Sequence, residues 1–186
     1  KGYANLMKIV SIGFTEGYYY RPRVDFETLE KYHEGLICLS ACLAGEIPRY
    51  IVRGFYEDAK GIAKKYQDCF GKDNFFLELQ DHGISDQKLV NQQLRMSDEL
   101  GIPLVCTNDV HYTYDTDVEA HDVLLCIQTG KKVTDEDRMR YEGGQFYVKS
   151  EEEMRKLFPY AQEALDNTQK IADRCNVTIE FGKTKL

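Results

Sequence analysis

The stretch Asn74-Phe75-Phe76-Leu77-Glu78-Leu79 is an almost unbroken apolar run with polar residues on both sides. A strand of a parallel sheet is covered on both faces, so it lacks the alternation of a half-exposed strand. We therefore predict that residues 74–79 form a buried strand of an α/β fold. Residues 36–40 (Leu-Ile-Cys-Leu-Ser) and 102–107 (Ile-Pro-Leu-Val-Cys-Thr) have the same character, and we predict a strand at each.

Helical patterns alternate with these strands. Apolar residues recur at helical spacing over residues 56–70, 86–100 and 117–129, and each segment is followed by a glycine, a common helix terminator. We predict Ser85 as the cap of the second helix and a capping box that begins at Thr116 for the third. Strand–helix–strand units at this spacing predict parallel strands with crossover helices. Three units cannot close a barrel, but they amount to a fair fraction of one.

The character of the sequence changes after residue 130. Residues 131–145 are polar and are predicted to form a loop. The pair Ser150 and Glu153 predicts a capping box and a short helix, and residues 160–175 predict a longer amphipathic helix.

Composition narrows the class of protein. The chain has 186 residues, 42% of them hydrophobic, and its apolar runs are too short for a membrane span. The net charge of -7 argues against a general phosphate-binding surface. The cysteines lack the paired spacing of a zinc ribbon, so we expect buried free thiols and a reducing, cytoplasmic location; they are Cys38, Cys42, Cys69, Cys106, Cys126 and Cys175. Because the first residue is not Met, we expect that the chain begins inside a longer protein or after processing.

An aromatic and basic cluster occupies residues 14–23 (Phe-Thr-Glu-Gly-Tyr-Tyr-Tyr-Arg-Pro-Arg), after a helical pattern near the start of the chain. Such a cluster could contact nucleic acid. The alternative is a packed loop, and the acidic net charge favours that interpretation.

The candidate site residues follow the predicted strands, because functional groups of parallel α/β folds gather at the carboxyl ends of strands. Asp109 and His111 are two residues apart after the third strand, so their side chains are expected to point the same way in extended backbone. An oxygen and a nitrogen ligand side by side suit zinc, manganese or iron. The alternative is a hydrogen-bonded Asp and His without a metal.

Three further residues are weaker candidates. Cys42 follows the first strand and could supply a thiolate to the same rim, or it could be a buried thiol. Asp81 and His82 follow the second strand and could form a second tier of the site as a proton-transfer pair. For these two, a surface connection before a helix is the favoured alternative.

Several long motifs together resemble the bacterial DNA polymerase III alpha subunit family. The resemblance covers essentially the whole chain and rests on residues 35–46 (Gly-Leu-Ile-Cys-Leu-Ser-Ala-Cys-Leu-Ala-Gly-Glu), residues 108–112 (Asn-Asp-Val-His-Tyr), residues 119–130 (Glu-Ala-His-Asp-Val-Leu-Leu-Cys-Ile-Gln-Thr-Gly) and shorter matches at residues 3–6, 163–168 and 174–177.

The resemblance implies a fold: the back half of a distorted β/α barrel, the PHP (polymerase and histidinol phosphatase) type, with parallel strands and a carboxyl-terminal helical segment. Residues 1–130 would be the partial PHP domain, and residues 131–186 a loop and helical extension leading toward the polymerase palm. The resemblance also implies that Asp109 and His111 are the last metal-binding motif of the PHP domain. Cys42 matches a position at which PHP proteins place a metal-binding residue.

The implied parent is a DNA-directed DNA polymerase whose PHP region is a metal-dependent phosphoesterase or 3'–5' exonuclease using zinc, manganese or magnesium. Its implied partners are DNA, deoxynucleotides, a proofreading exonuclease subunit and a sliding clamp, with no membrane. The earlier metal motifs and the palm carboxylates of the family have no match here. We therefore expect the chain alone to be inactive and to bind no metal or one weak zinc ion. The alternatives are a non-catalytic scaffold that docks a proofreading subunit, and a stand-alone PHP phosphatase.

Overall fold

The computed structural model describes residues 1–183, apart from the side chains of Lys88, Val90 and Leu94. It shows an α/β fold with a parallel sheet, as predicted. In the described part of the chain the helices are α1 (Gly2–Thr15), α2 (Phe26–Tyr32), α3 (Glu46–Val52), α4 (Tyr56–Phe70), α5 (Ser85–Val90), α6 (Gln93–Leu100), α7 (Val118–Thr129), α8 (Glu151–Leu157) and α9 (Gln162–Arg174). The strands are β1 (Cys38–Leu39), β2 (Phe75–Leu79) and β3 (Leu104–Cys106).

The order of the sheet is β1-β2-β3, with β2 in the middle and parallel to both neighbours. Cys38 lies opposite Phe75, and Leu77 lies opposite Leu104. All five residues of β2 are buried, which explains why this stretch lacks an alternating pattern. The parallel arrangement brings the carboxyl ends of all three strands to one edge of the sheet.

Two hydrophobic clusters hold the sheet between helices. The first surrounds β2 with side chains from α3, α4 and α6 and consists of Ile47, Ile51, Ala59, Ala63, Phe70, Phe75, Leu77, Met96 and Ile102. The second joins the strand ends to the last two helices and consists of Leu79, Cys106, Phe158, Ala161, Ala164 and Leu165. The amide of Asn167 also donates a hydrogen bond to the Leu104 carbonyl at 2.7 Å, so α9 is fixed directly on β3.

Helix α4 matches its predicted bounds, and Gly101 and Gly130 end α6 and α7 with φ angles of 62° and 66°. The prediction of a single helix over residues 86–100 is wrong, because a break in the helix separates α5 from α6. Ser85 is the first residue of α5 and makes no capping bond, so that predicted cap is also wrong.

The cap predicted at Thr116 is replaced by another residue. The chain forms a short 3-10 turn at Asp115–Asp117, and the Asp117 carboxylate accepts a hydrogen bond from the Tyr114 amide at 2.9 Å. The box at Ser150 and Glu153 is confirmed. Helices α2 and α3 were not predicted, because each is only seven residues long and follows irregular chain.

The cysteines divide by position. Cys106 and Cys126 are buried, and burial raises the pKa values of Cys38 and Cys106 to about 12. The prediction of buried thiols is wrong for Cys175, which is exposed after the end of α9. None of the helices in residues 1–183 is long and apolar enough to cross a membrane.

The aromatic cluster after α1 is not a packed loop. Tyr18, Tyr19 and Tyr20 are 60%, 63% and 83% exposed, so their rings lie outside the core.

Candidate functional site

A pocket of about 390 Å³ opens at the carboxyl ends of the strands. Residues after β1 and after β3 contribute Cys42 and Asp109, and these two side chains line the same pocket, as predicted. Further lining comes from the segment after α7, which was not predicted to be part of the site. The lining from that segment is Met139, Arg140, Tyr141, Glu142 and Phe146.

Asp109 and His111 lie together, but not for the predicted reason. The chain leaves strand geometry after Cys106, and Asp109 has a left-handed φ of 40°. The His111 amide then donates a hydrogen bond to the Phe146 carbonyl at 2.8 Å. This turn places the Asp109 Oδ1 atom 3.5 Å from the His111 Nε2 atom, with both side chains about one third exposed.

The spacing of this pair fits one metal ion. Two ligands at about 2.0–2.1 Å from a tetrahedral ion are about 3.3–3.4 Å apart, close to the 3.5 Å between Asp109 Oδ1 and His111 Nε2. Among the described residues, however, no group of three or more His, Cys, Asp or Glu side chains is arranged to hold a metal. The pair can therefore supply two ligands, and the role of Cys42 as a third stays a prediction.

Tyr141 borders this pair and was missed in the sequence. Its ring centroid is 4.3 Å from that of His111. Burial raises the pKa of the Tyr141 phenol, and the nearby Asp109 carboxylate and Cys42 thiol raise it further. The phenol is therefore a hydrogen-bond donor at the pocket wall. No local motif marks this tyrosine, because its position depends on how residues 131–146 return to the strand ends.

His82 is buried, with an exposed fraction of 2%, and both of its ring nitrogens are engaged. The Gln87 side-chain amide donates to Nδ1 at 2.5 Å, and Nε2 donates to the Asn108 carbonyl at 2.8 Å. Burial lowers the pKa of His82, which favours this neutral form. Asp81 accepts a hydrogen bond from the Gly83 amide at 2.9 Å instead of pairing with His82. The proton-transfer pair is therefore not formed, and neither ring nitrogen is available to a metal.

Glu78 lies beneath the pocket and ties the three strand ends together. Its carboxylate accepts hydrogen bonds from the Ala41 amide and from the Thr107 hydroxyl, the latter at 2.8 Å. The Glu78 amide donates to the Ser40 hydroxyl at 2.8 Å. Ala41 has a left-handed φ of 65°, which is unfavourable for a residue with a Cβ atom. Glu78 thus holds the turn that brings Cys42 to the pocket.

Asn108 attaches the returning segment to the end of β3. Its side-chain amide donates to the carbonyls of Gln145 and Tyr147, at 3.2 and 2.6 Å. Residues 145–148 then run beside residues 111–113, with a parallel bridge between Tyr112 and Tyr147. Asn108 thereby fixes Phe146, whose ring stacks on His82 with a centroid separation of 4.0 Å.

A half-buried ion pair ties the returning segment to α7. The Arg138 guanidinium makes two hydrogen bonds to the Asp122 carboxylate of α7, at 2.5 and 2.7 Å, and the Arg138 side chain is only 4% exposed. His121, one residue before Asp122, packs near His111 and Tyr141, and its pKa is lowered by burial and then by His111.

Comparison with known proteins shows which sequences this chain is similar to. The PHP domain model matches residues 1–82. The DNA polymerase III alpha subunit of Borreliella burgdorferi is 52% identical over 176 residues, or 94% of this chain and 15% of the relative. The alpha subunit of Treponema pallidum is 49% identical over 96% of this chain and 15% of the relative. That of Deinococcus radiodurans is 43% identical over all of this chain and 14% of the relative.

The chain spans about 15% of the length of the curated relatives that it matches. The matches include the segment that carries Asp109 and His111, which lies beyond the PHP match. Over nearly its whole length, this chain is similar in sequence to the DNA polymerase III alpha subunits, and its first 82 residues match the PHP domain.

Proposed function

We propose that this chain supplies part of a metal-dependent phosphoesterase site, acting within a DNA polymerase III alpha subunit. The observation that carries the proposal is the 3.5 Å separation of Asp109 Oδ1 and His111 Nε2, beside the pocket that Asp109 shares with Cys42. The relatives named DNA polymerase III subunit alpha support the wider context of DNA synthesis, with DNA and deoxynucleotides as partners. A proofreading exonuclease subunit and a sliding clamp belong to the proposal only as what the family resemblance implies.

The chain's own residues have separate roles in this proposal. Asp109 and His111 would hold a divalent ion, which would supply positive charge to a phosphate oxygen. Arg140 lines the pocket and offers a second positive charge to the phosphate. The Tyr141 phenol, whose pKa is raised by burial, lines the same pocket and is available to donate a hydrogen bond to the phosphate.

Metal binding can be tested without any activity assay. Titration of the chain with Co²⁺, followed by visible absorbance, should show one ion per chain. Asp109→Asn and His111→Ala should each weaken binding at least tenfold, because each removes a ligand. If Cys42 is a third ligand, a sulfur-to-cobalt band appears in the near ultraviolet and is lost in Cys42→Ser.

His33 provides a matched control, because it does not line the pocket and its Nδ1 atom lies 2.7 Å from the Glu30 carbonyl. His33→Ala should leave cobalt binding unchanged. Equal binding by the unaltered chain and by the Asp109→Asn, His111→Ala double variant would refute the assignment of ligands.

A scaffold is the second candidate, and one observation favours it. Several polar side chains at the strand ends are already engaged in hydrogen bonds within the protein, as those of His82, Glu78 and Asn108 are. Because the chain supplies only part of the site, the two candidates are distinguished by hydrolysis of a 3'-labelled oligonucleotide or of p-nitrophenyl phosphate by a full-length alpha subunit that contains this segment. Hydrolysis that His111→Ala abolishes supports the phosphoesterase, whereas tight metal binding without hydrolysis supports a scaffold.

A further inference from the structure

The turn between α1 and α2 presents an unusual surface. Tyr18, Tyr19 and Tyr20 project from it, and Tyr20 at its tip is 83% exposed. Exposed aromatic rings in a group are uncommon on a surface that contacts only water. Residues 17–23 also contain two exposed arginines, Arg21 and Arg23, and no acidic residue.

The turn is held in a defined shape. The Tyr19 amide donates to the Arg21 carbonyl at 3.1 Å, and Tyr20 between them has a left-handed φ of 58°. At the base, a Cβ atom on Gly17 would lie 1.8 Å from the Arg23 carbonyl oxygen, so the two ends of the turn touch because residue 17 is glycine. The rings are therefore displayed on a closed turn rather than on a loose connection.

The aromatic rings of the turn contact each other and one of its arginines. The rings of Tyr19 and Tyr20 meet edge to face with centroids 4.6 Å apart. The Arg23 guanidinium lies over the Tyr19 ring, 5.0 Å from its centroid. Of the nearest acids in the sequence, Glu16 and Asp25, the carboxylate of Asp25 is committed to the start of α2, where it accepts from the amide and hydroxyl of Thr28.

We propose that residues 17–23 form a contact for single-stranded nucleic acid, in which Tyr19 and Tyr20 stack on bases and Arg21 and Arg23 neutralise phosphates. Rings that stack on any base, together with flanking positive charge, are the features of sequence-independent single-strand binding. Tyrosine and arginine are also enriched at protein interfaces, and it is the positive charge of residues 17–23, without an acidic residue, that favours phosphate as the partner. The contact does not depend on the metal pair, because it involves none of the residues around Asp109.

The test uses the 186-residue chain and a short, fluorescein-labelled oligodeoxythymidine, with binding followed by anisotropy at low salt. Tyr20→Gly should weaken binding about fivefold or more, since one stacked base is worth about that factor at least. The same variant should be no less stable than the unaltered chain, because glycine adopts a positive φ without strain. Loss of binding would therefore not be a folding defect. Tyr19→Phe, which keeps the ring, should retain binding.

The charged groups have their own readout. Arg21→Gln and Arg23→Gln should each reduce the slope of log K against log salt by about 0.7, the value expected for one phosphate contact on a single strand. The controls are Tyr114→Ala, which removes a 67% exposed tyrosine elsewhere, and Arg53→Gln, which removes an exposed arginine outside the turn. Both should leave affinity and salt slope unchanged.

Three results would overturn the proposal. Unchanged affinity in Tyr20→Gly would exclude stacking, and equal losses in the two controls would show that binding is not localised. An unaltered chain that binds no oligonucleotide at low salt, but self-associates in a way that Tyr20→Gly abolishes, would make the turn a protein contact.

Discussion

Glu78 shows how one buried side chain can organise several loops. Its carboxylate satisfies donors that come from the segments after β1 and after β3, namely the Ala41 amide and the Thr107 hydroxyl. The two segments carry Cys42 and Asp109, which line one pocket. Glu78 lies on the middle strand, so it connects these residues without contacting anything bound in the pocket.

Replacement of Glu78 by alanine should destabilise the chain by about 2–4 kcal/mol, because a buried donor that loses its acceptor costs about 1–3 kcal/mol. Urea denaturation followed by circular dichroism measures this change. Glu152→Ala is the control, since the Glu152 side chain is 79% exposed and pairs only with Lys156 on the surface; it should change stability by less than about 0.5 kcal/mol. A similar loss of unfolding free energy in both variants would show that the hydrogen bonds of Glu78 add no stability beyond that of a surface ion pair.

The sequence could reveal some of these residues but not others. Asp109 and Cys42 could be found because parallel strands bring their carboxyl ends to one edge, and both residues follow a predicted strand. The role of Glu78 could not be predicted from the sequence. A glutamate inside an apolar strand can be a buried hydrogen-bond acceptor or a solvated side chain, and no local pattern distinguishes the two. The environment of His82 was not predicted either, because its partner Gln87 lies in a helix whose position depends on tertiary packing.

At the scale of elements, the contrast between two serines shows what local sequence can predict. Ser150 caps α8: its hydroxyl accepts from the Glu153 amide at 3.2 Å, and Glu153 accepts from the Ser150 amide at 2.8 Å. Ser85 was predicted from the same kind of reasoning but makes no capping bond at the start of α5. The full box at Ser150 specifies its helix locally, whereas a lone serine does not fix the first residue of a helix.

Ser150→Ala should therefore lower the free energy of unfolding by about 1 kcal/mol, the usual value of a lost cap. Ser85→Ala is the matched control and should have little or no effect.

Because Tyr147 and then Ser150 hold the pKa of Glu153 at about 2, below its ordinary 4.5, the stabilisation from the box is complete above pH 4.5. It should be lost only as pH falls toward 2. Thermal unfolding of both variants across this range measures these effects, and equal losses in the two serine variants would contradict the assignment.

The longer elements were predicted best. Helix α4 and strand β2 are recognisable because fifteen residues of helical periodicity and five buried residues in a row leave few alternatives. The division of the second predicted helix into α5 and α6 was not visible, because the apolar residues keep their spacing across the break. Short helices such as α3 owe their form to packing, since Ile47 and Ile51 belong to the first hydrophobic cluster.

At the scale of the whole molecule, the last two helices are part of the same packed body as the sheet. Phe158 is fully buried in the cluster that also contains Leu79 and Cys106 from the strands. From the sequence, residues 131–186 are predicted to be an extension separate from residues 1–130. That division of the chain stays a prediction, and the contacts of Phe158 allow it to be tested.

Phe158→Ala should destabilise the protein by about 3–5 kcal/mol, the range for removing a buried phenylalanine side chain. The loss should appear in one cooperative transition, because the missing ring would remove contacts with the strand ends as well as with the helices. Far-ultraviolet circular dichroism and tyrosine fluorescence, followed in the same urea titration, should therefore coincide. Two separate transitions, with only one shifted by the substitution, would show that residues 131–186 unfold on their own.

The ring of His82 gives the molecule a built-in spectroscopic signal. Its Nε2 proton is donated to the Asn108 carbonyl inside the protein, and the Gln87 amide fixes the tautomer from the other side. A proton so enclosed exchanges slowly with water, so it should give a separate downfield resonance in the proton NMR spectrum. The resonance requires the end of β2, helix α5 and the end of β3 to be assembled together, and it would disappear when any of them comes loose. One nucleus would thus report whether the rim around the pocket is intact.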